Sequence, residues 1–375
     1  MAGIYIHIPF CKQACHYCDF HFSTSFGHKK ELLQALRQEI YLQKGYLENE
    51  TVETVYFGGG TPSVLETSEI NALLETVFTN FSVKADAEIT LEANPDDLNP
   101  QKILSLKQTP INRFSIGVQS FFDEDLVWMN RAHRGNEAFY AIKEAQDAGF
   151  HNITMDLIYG YPLLTDEKWQ YNLQKFFELQ IPHLSAYSMT VEPRTALASF
   201  ISKKKQPEMN DDQSAAQFEF LMQEAEKHGF EHYEISNFSL PGHHSRHNSN
   251  YWEGVKYLGI GPSAHSFNGK TRQWNVASNQ QYLAAIRQNN IPFTLENLSQ
   301  EDRLNEYIMT ALRTSKGLNL IKADGIIAGA STQILMAANP FLEKNWLAKT
   351  GQNLTLTLAG KLYADYIAAQ LFIFP

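Results

Sequence analysis

The sequence predicts an α/β protein whose larger part is a parallel β-sheet with helices between its strands. Two observations support this prediction. Short runs rich in β-branched and aromatic residues recur along the first half of the chain, and stretches with apolar residues at i, i+3 and i+4 lie between them. Strands and helices that alternate in this way form βαβ units, whose strands are parallel.

Six such units can be counted from the N-terminus. The predicted strands are residues 3–8, 51–57, 88–93, 113–118, 152–159 and 183–189. The amphipathic stretches predicted to be helices include residues 29–44, 68–81, 136–148 and 166–179.

The pattern changes after the sixth unit. Residues 211–228 predict one more helix, and residues 231–261 form a Gly-, His- and Asn-rich stretch with weak periodicity, in which we expect a loop at the His-rich run, residues 241–252. A further unit starts near residue 300, with a helix that ends before Gly317 and a short strand leading into a helix at residues 355–372. We therefore predict two domains, residues 1–295 and residues 296–375.

The composition is that of a globular protein, with 43% hydrophobic and 19% charged residues. The formal net charge of −10 argues against nonspecific binding to nucleic acid, which needs lysine and arginine to neutralise phosphates. No apolar run approaches the roughly 18–20 residues of a membrane span, and no export signal is visible at the N-terminus. We therefore expect a cytoplasmic protein.

The only cysteines of the chain are Cys11, Cys15 and Cys18, in a short loop after the first predicted strand. In a chain without an export signal, three closely spaced thiols indicate a metal centre rather than disulfides. One alternative is a structural zinc with His7, His16 or His21 as the fourth ligand. A 4Fe–4S cluster with three protein ligands explains the number of cysteines better, and it leaves one iron free to bind another group.

The run CKQACHYC, which has an aromatic residue before its last cysteine, resembles the signature of the radical S-adenosylmethionine (SAM) superfamily. The run YFGGGTPS, residues 56–63, resembles the glycine motif of that superfamily. The resemblance implies a partial (β/α)6 TIM-like radical SAM barrel with a small C-terminal, winged-helix-like α/β domain. It also implies that SAM binds the open iron through its amino and carboxylate groups, and that a protein such as flavodoxin or ferredoxin donates electrons.

The resemblance assigns ligands residue by residue. It implies that the cysteines hold the cluster and that the SAM-binding residues are Tyr5, Tyr17, Gly59, Gly60, Thr61, Glu92, Gln119, Arg131 and Asp156. Gln119, Arg131 and Asp156 match positions that hold a second SAM in one group of the superfamily, the oxygen-independent coproporphyrinogen III oxidases. They could equally be scaffold residues. Barrel sites lie at the C-terminal ends of strands, and several candidates fall near predicted strand ends: Cys11, Gly59, Glu92, Gln119, Asp156 and Tyr187.

Further motifs, including YIHIPFC, LEANPDD and DLIYGYP, resemble the coproporphyrinogen oxidase-like branch. This branch contains the oxygen-independent coproporphyrinogen III oxidases and the HemW-type haem chaperones. The oxidase signature has a further cysteine two residues after the third cluster cysteine, where this chain has Phe20. The oxidases also carry an N-terminal extension, for which we expect no room before Tyr5. A chaperone that lacks oxidase activity is the favoured interpretation.

The run HNSNYW, residues 247–252, matches a motif that is typical of the chaperones. Histidine and tyrosine are axial ligands of haem iron, so we expect His247 and Tyr251 to contribute to a haem site, with Trp252 packing on the ring or within the loop. His243 and His244 are nearby candidates, and Arg246 could pair with a propionate or face solvent. This stretch is expected to fold back across the mouth of the barrel.

Three interpretations of function remain open from the sequence. The first is a haem chaperone that passes haem to an unknown acceptor protein, and the second is the coproporphyrinogen oxidase. The third is a radical SAM enzyme with an unrelated substrate, for which the His-rich stretch would be only a surface loop. Whether the chain catalyses a reaction is left undecided.

Overall fold

The computed structural model of the protein describes residues 1–374. The strands are β1 Ala2–Ile8, β2 Val52–Gly59, β3 Val83–Ala93, β4 Arg113–Gln119, β5 Ile153–Tyr159, β6 His183–Ser188, β7 Glu231–Glu234, β8 Asn237–Ser239, β9 Lys256–Ile260, β10 His265–Phe267, β11 Thr271–Asn275, β12 Phe293–Asn297, β13 Leu318–Asn319, β14 Leu347–Thr350 and β15 Asn353–Leu356.

The α-helices are α1 Lys29–Leu42, α2 Thr67–Asn80, α3 Pro100–Leu106, α4 Asp123–Trp128, α5 Gly135–Asp147, α6 Asp166–Glu178, α7 Ala196–Ser202, α8 Asp211–Lys227, α9 Arg246–Glu253, α10 Asn279–Ile286, α11 Gln300–Leu312, α12 Leu320–Ile326, α13 Ala330–Glu343, α14 Leu358–Lys361 and α15 Ala364–Gln370. Within residues 1–374, no helix is both long and apolar enough to cross a membrane.

The first six strands lie side by side in chain order, and each pairs in parallel with the next. The two outer strands of this set do not pair with each other: β9 adds in parallel beside β1, and β8 adds antiparallel beside β6. The six predicted strands and the α/β fold class are therefore confirmed, and the barrel is open.

The side chains of the barrel strands alternate between two environments. On β1, Ile4, Ile6 and Ile8 are fully buried in the hydrophobic core, whereas Tyr5 between them stacks with Tyr56 of β2 at a ring distance of 6.1 Å. One face of the strands therefore packs against the helices, and the other brings polar and aromatic groups into the barrel interior.

The expectation of a loop at residues 241–252 is wrong for its second half, where helix α9 forms. Residues 231–261 contain β7, β8, α9 and β9, and together with β10–β12 they extend the parallel sheet to twelve strands. Helix α9 is only eight residues long and mostly polar, and His247 is its one buried residue, so few apolar side chains mark it as a helix. Its N-terminus is capped instead by the side chain of Ser245, which accepts a hydrogen bond from the backbone N–H of Asn248.

We call residues 231–297, which extend the sheet, the barrel extension. The buried carboxylate of Glu39 on α1 holds it in place. This carboxylate accepts hydrogen bonds from the N–H of Gly261, the amide of Asn275 and the hydroxyl of Tyr282, at 2.6–2.7 Å. Burial raises the pKa of Glu39 to about 7. One carboxylate thus ties three separate segments of the extension to the barrel.

A second hydrophobic core is formed by residues between Leu304 and Leu371. It consists of the helices from α11 onward and a three-stranded antiparallel sheet in the order β13-β15-β14, an α/β arrangement as expected. The predicted boundary between residues 295 and 296 falls inside β12, which belongs to the large sheet, and it stays a prediction.

Candidate functional site

The C-terminal ends of the six parallel strands form one edge, which we call the mouth of the barrel. Gly59 and Gln119 are the last residues of β2 and β4, Glu92 is the penultimate residue of β3, and Tyr187 is the penultimate residue of β6. The cysteine loop starts from the end of β1 at the same edge. Asp156 lies in the middle of β5, deeper in the interior.

The cysteine loop is irregular, and its sulfur atoms receive hydrogen bonds from other parts of the chain. The hydroxyl of Thr61 donates to Sγ of Cys11 at 3.4 Å, and Nη1 of Arg131 donates to Sγ of Cys15 at 3.5 Å. Burial raises the pKa of the Cys11 thiol and raises that of Cys18 to about 12. The hydrogen bonds from Thr61 and Arg131 act in the opposite direction to burial, because they stabilise the thiolate, the form in which cysteine binds iron.

The three histidines proposed as a fourth zinc ligand are engaged elsewhere. His7 Nε2 donates to the carbonyl oxygen of His21 at 2.8 Å, and His16 Nδ1 donates to that of Trp128 at 2.9 Å. His21 Nε2 donates to the side-chain oxygen of Asn279 at 2.8 Å. These contacts hold the imidazoles against the fold, and in His7 both ring nitrogens are occupied, because Nδ1 lies 3.3 Å from the hydroxyl of Tyr5.

Among residues 1–374, no three His, Cys, Asp or Glu side chains are close enough to hold a single metal ion. The donor set is nevertheless the one that an iron–sulfur cluster uses, because clusters are held by thiolates that accept hydrogen bonds. Two buried polar atoms beside the loop, Nε of Arg131 and Oε1 of Gln119, have no hydrogen-bond partner in the described chain. A polar ligand at the mouth would satisfy them.

The glycine motif packs against the cysteine loop. Gly59 has a φ of +107°, and a side chain there would overlap the ring of His7. A Cβ at Gly60 would lie 2.7 Å from the carbonyl oxygen of Phe10. Gly60 therefore permits the close approach of the glycine motif to the start of the cysteine loop, and a larger residue at Gly59 would displace the ring of His7.

A buried acidic pair lies below the mouth. The hydroxyl of Tyr56 donates to Glu92 at 2.8 Å, and burial raises the pKa of Glu92 to about 7. Burial, together with the nearby Glu92, raises the pKa of Asp156 to about 7 as well, and the hydroxyl of Ser115 lies 3.4 Å from its carboxylate. The surroundings therefore favour the neutral form of both carboxyl groups more than water does.

Asn94 connects residues of the site, although it was not predicted from the sequence. Its side-chain oxygen accepts a hydrogen bond from Nη2 of Arg131 at 2.7 Å, and its amide lies 3.4 Å from the Thr61 hydroxyl. Arg131 also donates to the carbonyl oxygen of Gly117, next to a β-bulge at which Gln119 has a φ of +66°. The motif LEANPDD contains Asn94, but nothing in the sequence shows that it lies between these two residues.

The predicted position of the His-rich stretch at the mouth is wrong. The N–H groups of Arg246 and His247 at the start of α9 donate to the carboxylate of Glu88 in β3, which pairs in register with Thr54 near the start of β2. Nδ1 of His247 lies 2.8 Å from the hydroxyl of Thr54, and Nε2 lies 2.9 Å from that of Tyr251. Helix α9 therefore closes the opposite end of the barrel, because Thr54 and Glu88 precede the strand ends that form the mouth.

The residues of α9 have different surroundings. His247 is 1% exposed, both of its ring nitrogens have partners, and burial lowers its pKa to about 3. The Trp252 ring lies 5.3 Å from the guanidinium of Arg313, which belongs to the C-terminal domain. The Arg246 side chain donates to the carbonyl oxygen of Asp86. The haem role of His247 and Tyr251 stays a prediction, and iron ligation by His247 requires loss of one of its buried contacts.

Two family models match the chain: Radical SAM superfamily over residues 5–175, and HemN C-terminal domain over residues 298–363. A heme chaperone HemW of Mycobacterium tuberculosis is 34% identical over 374 residues, which cover 98% of this chain and 94% of that protein. A heme chaperone HemW of Bacillus subtilis is 34% identical and covers 85% of each chain. The chain belongs to the HemW family of the radical SAM superfamily.

The fold of this member of the HemW family also occurs in a solved structure. Coproporphyrinogen III oxidase (HemN) from Escherichia coli superposes with a TM-score of 0.86, covering 100% of this chain and 90% of that chain, at 24% identity. This likeness confirms the fold of both domains. At this identity it shows the fold alone, so the distinction between chaperone and oxidase depends on the HemW relatives.

Proposed function

We propose that the chain is a haem chaperone that keeps the cluster and SAM machinery of its superfamily and passes haem to an acceptor protein. The observation that carries this proposal is the similarity to proteins named heme chaperone HemW along almost the whole chain, at 98% coverage in one relative. The residues after Cys18 agree with it, since Asp19 and Phe20 stand where the oxidase signature has a further cysteine.

Cys11, Cys15 and Cys18 would supply three thiolates to a 4Fe–4S cluster. With SAM on its open iron, such a cluster provides one-electron chemistry, for which we expect a flavodoxin or ferredoxin as donor. The chain contributes the hydrogen bonds to sulfur from Thr61 and Arg131 and the shielding of the loop.

We assign SAM to the mouth, next to the cysteine loop. The residues proposed to contact it are Tyr5, Tyr17, Gly59, Gly60, Thr61 and Glu92, with Gln119, Arg131 and Asp156 as a possible second set. In its ionised form Glu92 would accept hydrogen bonds from ribose hydroxyls, and the hydroxyl of Tyr56 fixes the orientation of the carboxylate. The unpartnered atoms of Gln119 and Arg131 support a polar ligand at this edge.

The proposed cargo is haem, and the acceptor is an unidentified protein. We place the protein in the cytoplasm, where thiols stay reduced and therefore able to bind iron. Oxidase activity is not proposed, since no feature of this chain other than shared scaffold residues favours it.

The test is an anaerobic preparation with reconstituted cluster. Ferric haem is titrated and followed through the Soret band, and SAM binding is measured by equilibrium dialysis. A Cys18→Ala variant serves as the control, because it should lose the cluster and tight SAM binding while its barrel stays folded. If the parent protein binds no haem, the chaperone proposal is overturned. If the parent protein binds SAM no better than Cys18→Ala does, the assignment of SAM to the mouth of the barrel is overturned.

A further inference from the structure

A groove lies between α9 and the C-terminal domain, away from the mouth. Its volume is about 350 Å³, near the lower end of the usual range of ligand pockets, roughly 300–1,000 Å³, so that it would hold one edge of a macrocycle and leave the rest in solvent. One wall carries Tyr233, His244 and Trp252, and the other carries Tyr307, Lys316 and Lys322. Because α9 closes the end of the barrel opposite to the cysteine loop, a ligand here would be separated from SAM by the barrel interior.

His244 has the features of a metal-binding histidine. Its Nε2 donates to the carboxylate of Glu231 at 2.9 Å, and its ring stacks on that of Tyr233 at 4.0 Å with an angle of 14° between the planes. Its other ring nitrogen has no hydrogen-bond partner within residues 1–374, and 41% of the side chain is exposed. Histidines that bind metals usually donate their second N–H to a carboxylate, which orients the ring.

The neighbouring histidine of the family motif lacks these features. Both ring nitrogens of His247 are occupied by Thr54 and Tyr251, and the side chain is 1% exposed. Iron could not reach it without disruption of the barrel end. Of the two, His244 alone offers a free nitrogen to a ligand that enters from solvent.

The rest of the groove suits a flat, apolar ring that carries carboxylates. Trp252 and Tyr307 provide aromatic surface, and the buried indole N–H of Trp252 has no partner in the described chain. The ammonium of Lys322 lies 4.4 Å from the centre of the Tyr307 ring, with no carboxylate within 4.0 Å among residues 1–374. Lys316 pairs with Glu253 at the edge. Haem brings two propionates, and Lys322 can pair with one of them.

We propose that haem binds in this groove, with His244 as axial ligand, Trp252 along the macrocycle and Lys322 paired with a propionate. This inference rests on the proposed function, since it takes haem as the cargo. It adds a location, which is separate from the SAM site and formed jointly by the barrel extension and the C-terminal domain.

The experiment titrates the full chain with ferric haem and follows the Soret band in the parent, His244→Ala, His244→Gln and His243→Ala. The matched control is His243, which is exposed, adjacent in sequence and outside the groove lining. We expect at least a tenfold loss of affinity and a shifted band for both His244 variants, recovery of the band position with added imidazole, and parent behaviour for His243→Ala.

A second titration uses Lys322→Glu with haem and with haem dimethyl ester. The loss of affinity should be tenfold for haem and absent for the ester, because the ester has no carboxylates. If the parent binds haem and the His244 variants bind it equally well with the same Soret band, the assignment of haem to the groove is wrong and the proposed function stands. If the parent binds no haem, the proposed function fails, and the groove proposal fails with it.

Discussion

Arg131 and Cys15 are joined by a hydrogen bond across the mouth, with Nη1 of the guanidinium 3.5 Å from the sulfur. The same guanidinium is held by Asn94 and by the carbonyl oxygen of Gly117. A residue 116 positions along the chain therefore controls the electrostatic environment of one proposed cluster ligand.

We predict that Arg131→Met lowers the reduction potential of the reconstituted cluster, since hydrogen bonds to sulfur raise it. A charged hydrogen bond contributes about 1.5 kcal/mol, which corresponds to roughly 60 mV for one electron. The measurement is a redox titration, with the distant surface variant Arg287→Met as control. Equal potentials in Arg131→Met and parent would contradict the predicted contact with the cluster.

Replacement of any one of Cys11, Cys15 and Cys18 by alanine should abolish the broad visible absorption of the reconstituted protein, because no other cysteine is present. Iron and sulfide analysis accompanies the spectra, and a Ser23→Ala variant in the same loop is the control. An unchanged iron content in the triple variant, or stoichiometric zinc in anaerobically purified parent, would contradict the cluster assignment.

Glu92 should make stability depend on pH. Its pKa rises from 4.5 to about 7 on folding, so the folded state binds the proton more tightly, and the stability present below pH 4.5 is lost as the pH rises through 7. Glu92→Gln should therefore be more stable than the parent at pH 8, by up to roughly 3 kcal/mol, with a smaller gain at lower pH.

Urea unfolding of both proteins at pH 6 and pH 8 measures this difference, with the exposed Glu75→Gln as control. If the stability gained by Glu92→Gln is no larger at pH 8 than at pH 6, the pKa of Glu92 is not raised on folding. The same variant should bind SAM more weakly, because an amide is a poorer acceptor for ribose hydroxyls than a carboxylate.

His247→Ala should lower the free energy of unfolding by roughly 2–4 kcal/mol, because the change leaves the hydroxyls of Thr54 and Tyr251 without a buried partner. Chemical denaturation measures the loss, with exposed His151→Ala as control. Haem titration of His247→Ala and Tyr251→Ala also tests the role predicted from the sequence motif. Unchanged affinity and an unchanged Soret band in both would remove these two residues from the haem site.

The protein should not convert coproporphyrinogen III to protoporphyrinogen IX, because Asp19 and Phe20 follow the last cluster cysteine. The assay is anaerobic turnover with SAM and a reductant, measured against a no-enzyme control and the Cys18→Ala variant. Turnover well above both controls would favour the oxidase over the chaperone.

The barrel strands were predictable because each combines β-branched residues with complete burial of one face, as in Ile4 and Ile6 of β1. Helix α9 was not predictable, since only one of its residues is buried. Its position depends on contacts such as Thr54 with His247, 193 residues apart in sequence, which no local pattern encodes. The cysteine triplet could be found from spacing, whereas the role of Asn94 depends on the folded arrangement of Thr61 and Arg131.

The packing of α9 fills one end of the barrel interior. His247, Thr54 and Tyr56 are each no more than 7% exposed, and the rings of His247 and Tyr56 stack at 4.9 Å. A molecule that reaches Glu92 or Asp156 therefore enters at the mouth or along the side between β1 and β6, which do not pair.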